Sequence, residues 1–111
     1  MEEMLTILNE IRLPYAYDHF AEGESPPPPF AVYLTPGSDN FAADGEPYYR
    51  QKVMHLEVYT DTKDPPLERK IEAVLLRHGL FYEKSETWIP SEKLYEVLFI
   101  FEMEDEEDAE E

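Results

Sequence analysis

Apolar residues recur along this chain with two different periods. Met4, Ile7, Leu8 and Ile11 fall at i, i+3, i+4 and i+7, the spacing of one helix face, and predict a short amphipathic helix over residues 2–12. It must end before Leu13-Pro14, because the residue preceding a proline is driven out of the helical region. Glu2 and Glu3 in the first turn and Arg12 in the last match the sign of the helix dipole. Tyr15-Ala16-Tyr17 can start a strand, but Glu22-Gly23-Glu24-Ser25 and the prolines 26–29 cannot continue a sheet, since each proline lacks a ladder donor. Phe30 to Leu34 is an unbroken apolar run closed by Thr35-Pro36-Gly37, which fits a strand buried on both faces.

Residues Ser38 to Pro47 read as a loop, after which the period becomes two from Tyr48 to Thr60. Met54, Leu56 and Val58 point one way and His55, Glu57 and Tyr59 the other, the pattern of a half-buried strand. Asp64-Pro65-Pro66 then opens a second helix, with Asp64 as N-cap, Pro65 where a missing N–H costs nothing, and Gly79 as the stop. Leu67, Ile71, Val74, Leu75 and His78 share one face of it, and Glu68, Arg69, Glu72 and Arg77 cover the rest. Two strands follow. Leu80 to Ile89 is polar enough at Glu83-Lys84-Ser85-Glu86 to lie at a sheet edge or bend away, and Leu94 to Met103, with Tyr95, Val97, Phe99, Phe101 and Met103 alternating, reads as central. The order predicts one α+β domain over residues 1–103: a four- or five-stranded mixed, mostly antiparallel sheet with both helices on one face.

Charge changes the picture at the C-terminus. The chain carries 26 acidic and 9 basic residues, a formal charge of −17, and eight of the acids lie within Glu102–Glu111. A run so poor in apolar residues and so self-repelling predicts a disordered tail over residues 104–111. With 42% hydrophobic and 14% aromatic residues the remainder can bury a core, and the lack of a 20-residue apolar run argues against a membrane-spanning helix and a membrane partner. There is no cysteine, which removes disulfides, thiolate catalysis and cysteine-based metal sites. MEEMLTILNE has no basic n-region or apolar h-region, so the expected compartment is the cytoplasm.

Candidate chemistry is sparse, and no cofactor is expected. His19, His55 and His78 share no metal-ligand spacing. Asp39 to Glu46 has oxygen-bearing side chains but fails the calcium-loop spacing, so Asp44-Gly45 reads as a turn. Pro26–Pro29 satisfies P-x-x-P without the flanking Arg or Lys that favours docking, and reads as a stiff spacer. Acid pairs arise at every spacing in so acidic a chain, Ser25, Ser38, Ser85 and Ser91 lack a nucleophile elbow, and four glycines make no phosphate loop. An enzyme is therefore not expected. Nucleic acid is also disfavoured as a partner, because phosphate binding needs a basic surface. The one basic grouping, Arg50, Lys52, Arg69, Lys70 and Arg77, either pairs with acids of a neighbouring subunit or forms a solvated salt-bridged surface.

From Pro28 to Glu102 the residues carry a family likeness: PPFAVYL, the GSDNFAAD loop, HLEVYT running into DTKDPPLERKIE, and LFYEKSETWIPSEKLYEVLFIFE. These stretches resemble small tail-completion or tail-terminator-like proteins of long-tailed phages and prophages of Gram-positive bacteria. The resemblance implies a virion structural protein, present in the host cytoplasm during assembly. It would be a homo-oligomeric ring, commonly a hexamer, at the end of the tail tube, with tail-tube and head-connector proteins as partners. A ring needs complementary, heterologous edges. The residues that could supply them are Ser38, Asp39, Asn40 and Phe41 in the long loop, Tyr48, Tyr49, Arg50 and Lys52 entering the strand, and Tyr59 and Trp88. Tyr48, Tyr49, Tyr59, Tyr82 and Trp88 exceed what one small core requires, and either sit at interfaces or cover the second face of the sheet. The high negative charge opposes self-association at low salt. The alternative reading is an acidic DNA-mimic inhibitor of a host nucleic-acid-binding enzyme, which explains the charge directly but requires its acids on ordered elements.

Overall fold

The computed structural model describes residues 2–36 and 51–104. They form α1 (Glu2–Ile11), β1 (Tyr15–Tyr17), β2 (Phe30–Leu34), β3 (Gln51–Thr60), α2 (Pro65–Arg77), β4 (Tyr82–Ile89) and β5 (Leu94–Glu104). The strands make one mixed sheet in the order β1-β2-β3-β5-β4, with β1 and β2 parallel and the other pairs antiparallel. The α+β class with a mostly antiparallel sheet is thus as the pattern predicts, with β5 central and the polar β4 at an edge. The Ser38–Pro47 loop and residues 105–111 lie outside the described residues; Glu104, expected in the tail, is the last residue of β5.

Period-two alternation places one side of the sheet under both helices. Met54, Leu56 and Val58 of β3 stand opposite Phe101, Phe99 and Val97 of β5, and Ala31 and Tyr33 of β2 continue the same face. Met4, Ile7, Leu8 and Ile11 of α1 and Ile71, Val74 and Leu75 of α2 complete this core, in which Phe99, Leu56, Ile7, Ile71 and Leu75 are fully buried. Burying apolar area of this kind, at about 25 cal/mol per Å², is what holds helices of this length in place.

The helix ends follow their sequence signals, with one difference. The Asp64 carboxylate accepts from the Leu67 N–H at 3.2 Å, capping α2 ahead of Pro65. At its other end Gly79, at φ +75°, donates to the Leu76 carbonyl, and Leu80 donates to that of Leu75, closing the helix in a Schellman arrangement. α1 ends at Ile11 rather than Arg12: Arg12 has φ +68°, so its side chain is past the last turn. The cation at this helix end comes from α2 instead, where Lys70 donates to the Ile11 carbonyl at 2.8 Å. His78 joins the helices as well, its Nδ1 3.1 Å from Glu3 and its Nε2 3.2 Å from Glu10.

Candidate interaction surface

Among the described residues, no helix covers the second face of the sheet. The residues between the core positions form it: Phe30, Val32 and Leu34 on β2, Val53, His55, Glu57 and Tyr59 on β3, Leu94, Glu96, Leu98, Ile100 and Glu102 on β5, and Glu83, Ser85, Thr87 and Ile89 on β4. Among the described residues, aromatic side chains close its β2 end. Phe20, from the segment that crosses from β1 to β2, meets Phe30 edge-on at 5.4 Å, and Tyr59 stacks on Phe30 at 5.2 Å. Phe30 and Val32 are buried there, apart from the core under the helices, so β2 is covered on both faces as its apolar run predicts.

Towards β5 and β4, Val53, Leu98 and Ile100 are half-buried. Phe81, just before β4, is 88% exposed. With Val53, Ile100, Glu83 and Glu102 it lines a shallow groove of about 520 Å³. A large aromatic left in water beside apolar strand residues is the composition of an interaction surface rather than of ordinary solvent-facing sheet.

Charge is sorted between the two faces. The charged strand residues described on the open face, Glu57, Glu83, Glu96 and Glu102, are acidic, while the strand lysines Lys52 and Lys84 are on the helix face. Tyr59 Oη lies 2.9 Å from a Glu57 oxygen and 3.2 Å from a Glu96 oxygen, and one hydroxyl proton serves only one of them at a time. Partial burial raises the Glu57 carboxyl above its usual value, and neighbouring Glu96 adds to this against the opposing Tyr59 hydrogen bond and His55. Burial and the same two carboxylates push the Tyr59 phenol well up.

On the helix side the acids are matched. Lys84 bonds Glu68 at 2.9 Å and Glu72 at 2.7 Å, and Lys63 bonds Glu68 at 2.8 Å and also Glu86, tying α2 to β4. Burial alone would raise Glu68, but its hydrogen bonds to Lys63 and Lys84 together hold its carboxyl below the usual value. Hydrogen bonds to Glu68 and Glu72 raise the Lys84 ammonium.

Of the residues singled out from the sequence as an assembly interface, the three described, Lys52, Tyr59 and Trp88, do not share one patch. Ser38, Asp39, Asn40, Phe41, Tyr48, Tyr49 and Arg50 lie outside the described residues. Lys52 stands opposite Met103 at one end of the helix face. Tyr59 is on the open face near the other end of β3, roughly 23 Å along the strand at 3.3 Å per residue. Trp88 is 45% exposed on the helix side of edge strand β4, tilted against Tyr95 at 4.7 Å. Tyr82 packs edge-on against Phe99 at 5.7 Å, a core support rather than a spare aromatic. Phe81, Leu98 and Ile100 escape a sequence reading because they adjoin core positions in apolar runs. Only the strand register separates the faces.

Among the described residues, no group of three or more His, Asp or Glu is placed to hold a metal. None of the helices there is long and apolar enough to cross a membrane. Comparisons with protein-family models, curated proteins and solved structures find no match to this chain.

Proposed function

We propose that this protein is a structural subunit of a long-tailed phage or prophage virion, a tail terminator or head–tail completion protein that works by assembling into a ring at the end of the tail tube. The observation that carries this reading is the sheet face that no described helix covers, where half-buried Val53, Leu98 and Ile100 and the exposed Phe81 lie among glutamates, opposite the helix layer. The residue-level resemblance from Pro28 to Glu102 names the assembly that would use such a face. Sedimentation across protein concentration and salt tests it, with electron microscopy of tail tubes incubated with the protein. The expected result is a closed species near six subunits that binds tube ends. A strict monomer that leaves tube ends bare would overturn it.

The open face also favours a second reading, an acidic DNA-mimic inhibitor of a host nucleic-acid-binding enzyme, because Glu57, Glu83, Glu96 and Glu102 are acids on ordered strands. The apolar residues between them argue against a phosphate-like track, which has no use for Ile100 or Phe81. Competition with DNA for basic host proteins separates the two readings.

A further inference from the structure

We propose that the open sheet face of one copy receives the outward stripe of α2 from a second copy, a heterologous contact that repeats from subunit to subunit. This rests on the ring reading above and names the two surfaces that would make the ring.

Charge restricts the choice of occupant. Two open faces cannot pair with each other, since each would present Glu57, Glu83, Glu96 and Glu102 to the same acids. The outside of α2 is of opposite character. Arg69, Ala73 and Leu76 recur at i, i+4 and i+7 on its exposed side, with Leu76 55% exposed. The acids of this helix, Glu68 and Glu72, are drawn to Lys63 and Lys84 on the flank towards β4. Lys70 and Arg77 lie on the flank towards α1, against the Ile11 carbonyl and Glu10. What α2 presents outward is thus an apolar stripe with a cation, the complement of an apolar groove rimmed by acids.

The shapes correspond as well. A helix of 13 residues is about 20 Å long at 1.5 Å per residue, close to the ~20 Å that β5 spans from Glu96 to Glu102. Leu76 would seat beside Phe81, Val53 and Ile100, and Arg69 would meet Glu83 or Glu102 at the rim. Because the two surfaces lie on opposite faces of one domain, no copy can satisfy both by itself. The contact therefore propagates until it closes.

Sedimentation velocity at physiological ionic strength tests the contact with Arg69→Glu, Leu76→Asp and Glu83→Arg, all exposed positions whose change leaves the unfolding curve in place. The wild type should assemble, and each substitution alone should weaken assembly by at least about tenfold. An equimolar mixture of Arg69→Glu and Glu83→Arg should assemble again, because the reversed stripe of one fits the reversed rim of the other. A wild type that stays monomeric, or a mixture no better than its components, overturns the contact. Assembly indifferent to all three substitutions overturns it too, yet leaves the ring reading standing on other surfaces. Assembly that follows the charge swap but ignores tail tubes does the reverse.

Discussion

Phe99 and Ile100 are neighbours on β5 and point to opposite sides of the same sheet. Phe99 is fully buried under the helices, with Tyr82 against its ring and Lys84 6.0 Å from the ring centre. Ile100 sits between His55 and Glu83, half-buried, on the face that no described helix covers. One strand therefore serves two faces: its odd-numbered residues pack under the helices and its even-numbered ones form the face proposed to meet another molecule. The charges follow the same division. Acids on the helix side meet Lys63 and Lys84, whereas on the open side Glu57 and Glu96 share the hydroxyl of Tyr59.

Truncation should separate the faces most sharply. Phe99→Ala removes a fully enclosed ring at the centre of the core and should cost about 3–5 kcal/mol, read as a fall in the urea midpoint. Ile100→Ala removes atoms that water already reaches and should cost no more than about 1.5 kcal/mol. Equal losses would mean that the open face is covered, and the distinction between the faces would fail. Between these extremes, Asp64→Ala should cost about 1 kcal/mol, since it takes away one helix cap and no core atom.

Much of the fold is legible in the sequence because its signals are local. Asp64-Pro65 and Gly79 bracket α2 with chemistry that needs no partner, and the alternation of Met54, Leu56 and Val58 identifies the buried face of β3 before any neighbour is known. The parallel pairing of β1 with β2 is not legible, since it depends on Phe20 closing over Phe30 across a proline-rich crossover. That both helices lie on one face follows from the order of elements, but the apolar residues of the other face do not stand out, since Leu98 and Ile100 are as apolar as Val97 and Phe99 in the run Val97-Leu98-Phe99-Ile100-Phe101. Phe81 next to Leu80 reads as one more core residue, and its exposure emerges only once the Schellman turn has set where β4 begins. The fold is encoded in periods and caps, whereas the face proposed to meet a partner depends on where the helices pack.

The smallest effects probe the charge division, and they should have opposite signs. Glu68 has its carboxyl held below the ordinary value of 4.5, so its ion pairs stabilise the fold at neutral pH. That contribution disappears as pH falls through the lowered folded value. Glu68→Gln should accordingly cost up to about 1 kcal/mol at pH 7 and nothing in strong acid, where wild type and variant are both uncharged at this position. Glu57 is raised from the same 4.5, chiefly by burial, so its charged form is less favourable in the folded chain than in the unfolded one. The penalty is absent below 4.5 and reaches its full size once pH has risen past the folded value. Glu57→Gln keeps an acceptor for Tyr59, removes the charge beside Glu96, and should raise stability at pH 7 by roughly a few tenths of a kcal/mol. Urea midpoints for both variants between pH 3 and pH 8 check the pair. Divergence from wild type in opposite directions above pH 5 upholds the division, whereas a loss in both would mean that the open-face carboxylate is as well matched as the one bound by Lys63 and Lys84.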